Sequence, residues 1–189
     1  MPTSDARERR LDEPHVRPLM DVVRGLRALG LDVPNVDPND GGVNARVLFL
    51  LETPGPKAVA SRFVSRDNPD PSARNIGRLL DESGFARNEV LLWNVVPQCL
   101  STTTKNRNAS KAEICDAAPD LQAFINLLPK LEVMVFCGLS AQRAIDLIRL
   151  PSRVQVLRTY HPGQLAYRQP KCRAVIHATF KQARRLISS

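Results

Sequence analysis

Four short apolar runs constrain this chain more than any other feature: Val47–Leu51, Val90–Trp93, Val133–Cys137 and Val154–Leu157. Apart from Gln155 in the last, they are apolar rather than alternating, which is the pattern of strands buried on both faces of a parallel sheet. Residues at helical spacing separate them. Ile76, Leu79 and Leu80 mark one helix, with Ser72 as its expected cap, and Ile114, Ala118, Leu121, Ile125 and Leu128 mark a second. A third helix is expected over Leu139–Ile148, and a fourth carries the stripe Cys172, Ile176, Phe180, Ala183 and Ile187. Before the first strand, Leu19, Val22, Val23, Leu26 and Leu29 recur with helical period and end at Gly30. Alternating strands and helices predict an α/β fold: three layers, α/β/α, around a central four-stranded parallel sheet. Residues 1–17 lack periodicity and read as an N-terminal tail, leaving 18–189 as a single domain.

A chain of 189 residues with 43% hydrophobic content suits one folding unit with a real core and excludes disorder throughout. No apolar run reaches the ~20 residues of a membrane span, and the charged start lacks a signal peptide's apolar core. A soluble cytoplasmic monomer without a membrane partner is expected. Cys99, Cys115, Cys137 and Cys172 are far apart and form no C-x-x-C pair, so buried thiols are expected rather than disulfides or a metal site.

Charge is distributed unevenly. The net charge is +8, and residues 151–189 hold Arg153, Arg158, Arg168, Lys171, Arg173, Lys181, Arg184 and Arg185 with no acidic residue. That stretch accounts for the whole excess. A solvated basic helix is one reading and a phosphate-facing surface the other, the second gaining weight if functional loops adjoin it.

In a parallel sheet, ligands bind beyond the carboxyl ends of the strands, so the loops opening at Glu52, Asn94, Gly138 and Thr159 should share one rim. The first reads Glu52-Thr53-Pro54-Gly55, a carboxylate and a hydroxyl followed by a Pro-Gly turn. Asn94 follows Trp93 directly at the second strand end. The fourth loop, Thr159-Tyr160-His161-Pro162-Gly163-Gln164-Leu165, projects an imidazole from a rigid turn and is the sharpest local signal. Singly, each has an ordinary structural explanation; their order on successive β-α units does not.

That order resembles the uracil-DNA glycosylase superfamily, over roughly Val47 to Ile187. Its first motif ends a strand with a Gly-Glu-Ala-Pro-Gly type sequence, and its last is a His-Pro-Ser-Pro-Leu type loop. Phe63-Val64, Leu79-Leu80-Asp81 and Asn94-Val95-Val96 are most similar to the thermophile-type, iron-sulfur branch. That branch carries four cluster cysteines, two of them in an N-terminal C-x-x-C, whereas no cysteine precedes Cys99 here. No cofactor is therefore expected, and Cys99 reads as a remnant.

The resemblance implies a repair enzyme that hydrolyses the N-glycosidic bond of uracil in single- or double-stranded DNA, releasing free uracil and leaving an abasic site. Other deaminated bases stay open. It assigns His161 to stabilising the departing base, Asn94 to reading the Watson-Crick edge, Phe63 to stacking on the base, and Pro54 and Gly55 to the pocket wall. Leu165 is the expected wedge, with Gly163, Arg168 and Lys171 meeting DNA. The first motif departs from the family pattern: Leu51 replaces its leading glycine, and Thr53 stands where relatives have a water-activating Asp or Asn. Glu52, one place earlier, is the favoured water-positioning group, with Thr53 the alternative. A catalytically inactive nucleic-acid or nucleotide binder is the competing reading.

Overall fold

The apolar runs pair in parallel into one sheet, whose strand order comes from the pairing of β2 (Val47–Leu51), β4 (Val90–Asn94), β5 (Val133–Cys137) and β6 (Gln155–Thr159) as β4-β2-β5-β6. The structure is a computed structural model and describes residues 6–100 and 107–188; residues 1–5 of the expected tail and 101–106 of the loop after β4 lie outside them. Register aligns Leu51 with Asn94 and Cys137 with Thr159, which brings the four strand ends to a common rim. The chain leaves β2 toward β4 on one side, then returns past β2 to β5 and β6. The connections after β2 and β5 therefore diverge, opening a crevice between these neighbours.

Helices cover both faces. Trp93 of β4 stacks on Phe124 of α4 (Lys111–Asn126) with centroids 4.3 Å apart, while Phe49 of β2 stacks on Phe180 of α7 (Pro170–Leu186) at 4.5 Å. The helix α1 (Arg17–Ala28) packs beside α4, and α3 (Pro71–Glu82) beside α7. The result is the three-layer α/β/α arrangement. Leu19, Val23, Leu26, Ile76, Leu80, Leu121 and Ile176 all reach the core from their helical stripes. Gly30, at φ +87°, closes α1 with a Schellman turn in which the Leu31 N–H reaches the Leu26 carbonyl, leaving Leu29 exposed.

Several boundaries differ from expectation. The supposed tail is packed from Ala6 onward: a 3-10 turn at Ala6–Arg10 leads to Val16, which is fully buried, and Arg7 pairs with Asp37. Charged residues hide this because their partners lie some thirty positions away. Asp70, not Ser72, caps α3: its carboxylate accepts from the N–H groups of Ser72 and Ala73, with Pro71 supplying the first helical residue. The expected helix over Leu139–Ile148 splits into α5 (Leu139–Gln142) and a 3-10 turn at Ile145–Leu147. β6 is an edge strand, shifted one residue along, and its side chains are mostly exposed. A further parallel pair, β1 (Asn35–Val36) with β3 (Phe63–Val64), is too short to leave a pattern in the sequence. Two short helices, α2 (Pro56–Ser61) and α6 (Gln164–Arg168), follow the Pro-Gly and His-Pro turns.

Candidate active site

Two depressions meet at the rim. The smaller, a cavity of about 150 Å³, is lined by Thr53, Pro54 and Gly55 after β2, Asn94 at the end of β4, His161, and the segment from Val64 to Ile76. The second is an open cleft of about 590 Å³ above the β2–β5 crevice, lined by Glu52, Asn108, Gly138, Leu139, Tyr160, His161, Gly163 and Leu165 among others. His161 belongs to both. A larger cleft, about 770 Å³, lies between Cys115 and Pro151 but gathers no comparable set of polar groups.

His161 is fixed from several directions. The backbone N–H of Gly163 donates to its Nδ1 at 3.0 Å, so in the neutral ring Nε2 carries the proton and is the donor. Burial lowers the His161 pKa below its usual 6.5, against the opposing negative charges of Glu52 and Asp70. The ring is thus kept neutral. Gly138, at φ +95°, passes beneath it, and a Cβ there would meet the His161 Cβ at 3.0 Å. Asn75 of α3 donates from Nδ2 to the Pro162 carbonyl at 2.8 Å, tying the His-Pro turn to the helix. Gly163, expected at the DNA, acts here on His161.

Asn94 is buried to 2% exposure, and its Nδ2 has no hydrogen-bond partner. An unmatched buried donor is costly, and the adjoining cavity is where a partner would come from. Thr53, Pro54 and Gly55 line that cavity as expected. Glu52 does not: its Oε1 accepts from the Ala109 N–H at 2.5 Å, anchoring the loop before α4, and its side chain lines the cleft on the other side of His161.

Phe63, expected to stack on the base, does not reach the cavity. Its side chain is fully buried outside the cavity lining, with the Arg7 guanidinium 4.1 Å above its ring, and Val64 lines the cavity instead. Consecutive residues of an extended segment point opposite ways, so likeness in the order of residues does not fix which ring reaches the pocket. Sequence reasoning also missed Ser65, Asn68 and Asp70 in the cavity lining and Asn75 beneath the His-Pro turn, and read Ser72 only as a helix cap. Ser65, Asn68 and Asp70 fall in a turn-rich segment with two prolines, which reads as a loop and nothing more.

At the cleft, Leu165 on α6 is 83% exposed and Leu139 76% exposed. Arg168 and Lys171 are exposed but line neither depression, and Arg184 turns back to pair with Glu89 at 3.1 Å. The basic surface is accordingly smaller than the raw charge count implies.

The cysteines do not fit an iron-sulfur cluster. Cys137 is buried at the end of β5 with its thiol pushed up to about 12 by burial, Cys115 and Cys172 sit on separate helices, and Cys99 follows β4. Among the described residues, no group of three or more His, Cys, Asp or Glu side chains is placed to hold a metal ion.

A cavity sized for one ring, a neutral imidazole donor and an unmatched amide make a site that can bind a planar heterocycle and stabilise negative charge on it. A search of curated proteins finds no match. Among solved structures, the chain is similar to Pedobacter heparinus SMUG2, with a TM-score of 0.54 at 14% identity over 94% of this chain and 87% of that one, a likeness of fold. A mimivirus UNG variant in complex with UGI gives a TM-score of 0.41 at 13% identity, over 84% and 68% of the two chains. The sequence profile of the uracil DNA glycosylase superfamily matches residues 38–183. The chain belongs to the uracil DNA glycosylase superfamily.

Proposed function

We propose that this protein is a DNA glycosylase that hydrolyses the N-glycosidic bond of uracil in DNA, leaving an abasic site and releasing the free base. One observation carries the reading: the Gly163 N–H occupies His161 Nδ1, which leaves Nε2–H as the donor of a neutral ring beside a cavity sized for one base.

The chemistry follows from that arrangement. A duplex base must leave the stack before its glycosidic bond is accessible, and the cavity receives it. As the bond breaks, negative charge gathers on the pyrimidine O2 and positive charge on the sugar. A preorganised neutral N–H donor at O2 is worth about 3 kcal/mol in comparable sites. It needs no proton transfer. Asn94 offers its amide donor to the Watson-Crick edge, where it suits the carbonyl of uracil and opposes the amino group of cytosine. Pro54 and Gly55 form the wall.

Water must then attack the cationic sugar. Thr53, on the cavity, orients that water; Glu52, across His161, supplies negative charge that favours the cation. Leu165 fills the gap left by the extruded nucleotide, while Arg168 and Lys171 contact phosphates.

A labelled oligonucleotide containing one uracil, incubated with protein and then treated with alkali, tests the reading. Strand breakage at the uracil alone is expected. Full-length product at every enzyme concentration, with DNA binding retained, would instead identify a binder without catalytic activity.

A further inference from the structure

We infer that base recognition is divided between two asparagines of the cavity wall, with Asn68 accepting the ring N–H of the base while Asn94 donates to the adjacent carbonyl. This rests on the base-excision reading above and extends it to the class of base accepted.

Asn68 lies in the turn between β3 and α3 and lines the same cavity as Asn94 and His161. It is 5% exposed. Its Nδ2 donates to the Phe63 carbonyl at 2.9 Å, and only the nitrogen end of the amide can make that bond. The amide orientation is thereby fixed. Its Oδ1 is buried without any partner, just as Asn94 Nδ2 is. Two residues that line one cavity thus carry one unmatched acceptor and one unmatched donor.

The turn that carries Asn68 is stiff. Pro69 and Pro71 flank Asp70, which caps α3, and the Asp70 N–H donates to the Asn68 carbonyl at 2.8 Å. Ser65 Oγ accepts from the Asp67 N–H at 3.0 Å. A buried carbonyl oxygen held this firmly cannot swing out to find water, so its partner has to enter the cavity.

The chemical class of that partner follows from the two unmatched atoms. It must present an N–H donor beside a carbonyl acceptor, the cyclic lactam edge made when an amino group on a base is lost to deamination. Uracil and hypoxanthine share it. Cytosine and adenine present a ring acceptor beside an amine and would set acceptor against acceptor and donor against donor.

The test uses full-length protein and single-turnover excision from matched oligonucleotides carrying uracil or 3-methyluracil, which lacks the N3–H. The parent is expected to favour uracil by about 100-fold, and Asn68→Ala to shrink that ratio by about 10-fold through loss of the acceptor. Asn68→Asp keeps an acceptor but cannot donate to the Phe63 carbonyl, so it should retain the preference for uracil. A role limited to holding the turn predicts the reverse: Ala and Asp variants slowed alike on both bases, with the ratio unchanged. That result overturns the inference. If the parent releases neither base, the excision reading fails, and the decision passes to equilibrium binding of free uracil and free 3-methyluracil, read by protein NMR. Preference for uracil that is lost in Asn68→Ala then upholds the inference; equal binding of the two bases overturns it.

Discussion

The amide of Gly163 and the Nδ1 of His161 stand 3.0 Å apart, and this bond determines which imidazole nitrogen can act on a substrate. A Cβ on Gly163 would lie 2.8 Å from Nδ1, although the glycine's φ of −70° suits any residue. Gly163→Ala should therefore fold normally but displace the ring. A shift of that kind costs about 100-fold in rate when geometry dominates. Thermal unfolding and single-turnover excision, measured on the same preparation, separate the two effects.

Burial pushes the His161 pKa down from 6.5, so the active neutral form should persist below that pH. Rate plotted against pH should stay level through 6.5 and fall only at lower pH; an inflection at or above 6.5 would contradict a neutral donor. The linked stability has a definite sign. In the window below 6.5 the unfolded chain binds the proton more readily than the folded one, so this contribution is full above 6.5 and is lost as pH falls. Asp40 acts oppositely. Burial and the neighbouring Asp37 raise it to about 7, so its folded form holds a proton that the unfolded form releases from about 4 upward. Stability from Asp40 falls as pH rises toward 7, and Asp40→Asn should flatten that slope in denaturant titrations.

Glu52 and Thr53 divide the expected work between cleft and cavity. Glu52→Gln keeps an oxygen for the Ala109 N–H while removing the charge, so a fall of at least ~10-fold in single-turnover rate would reflect lost stabilisation of the sugar cation. Thr53→Ala should cost less. The opposite ranking would make the water held by Thr53, rather than the charge of Glu52, the larger contribution.

Leu165 and Leu139 are exposed on one cleft, which water alone does not favour. Leu165→Ala should slow excision from duplex DNA more than from single strands, because only the duplex leaves a gap to fill. Arg168→Ala should weaken binding without altering base choice and should lessen its salt dependence. Equal losses on both substrates for Leu165→Ala would remove the wedge.

The sequence made the sheet legible where strands are buried on both faces, as Val47–Leu51 and Val133–Cys137 are. β6 was harder because an edge strand needs no continuous apolar run, and its Gln155 and Arg158 face outward. His161 stood out because His-Pro at a strand end is unusual chemistry in a constrained place. Phe63 was misplaced because resemblance transfers an order of residues but not the side of the backbone each one faces. Asn68 went unnoticed because an asparagine before a proline ordinarily just makes a turn; only its orphaned oxygen, a three-dimensional fact, marks it out.

If His161 supplies the decisive hydrogen bond to a departing base, His161→Ala removes it. Under single-turnover conditions with a uracil-containing oligonucleotide, the parent should release the base and the variant should be slower by about 100-fold or more, with binding and thermal stability retained. Equal rates for the two proteins would exclude His161 from the reaction.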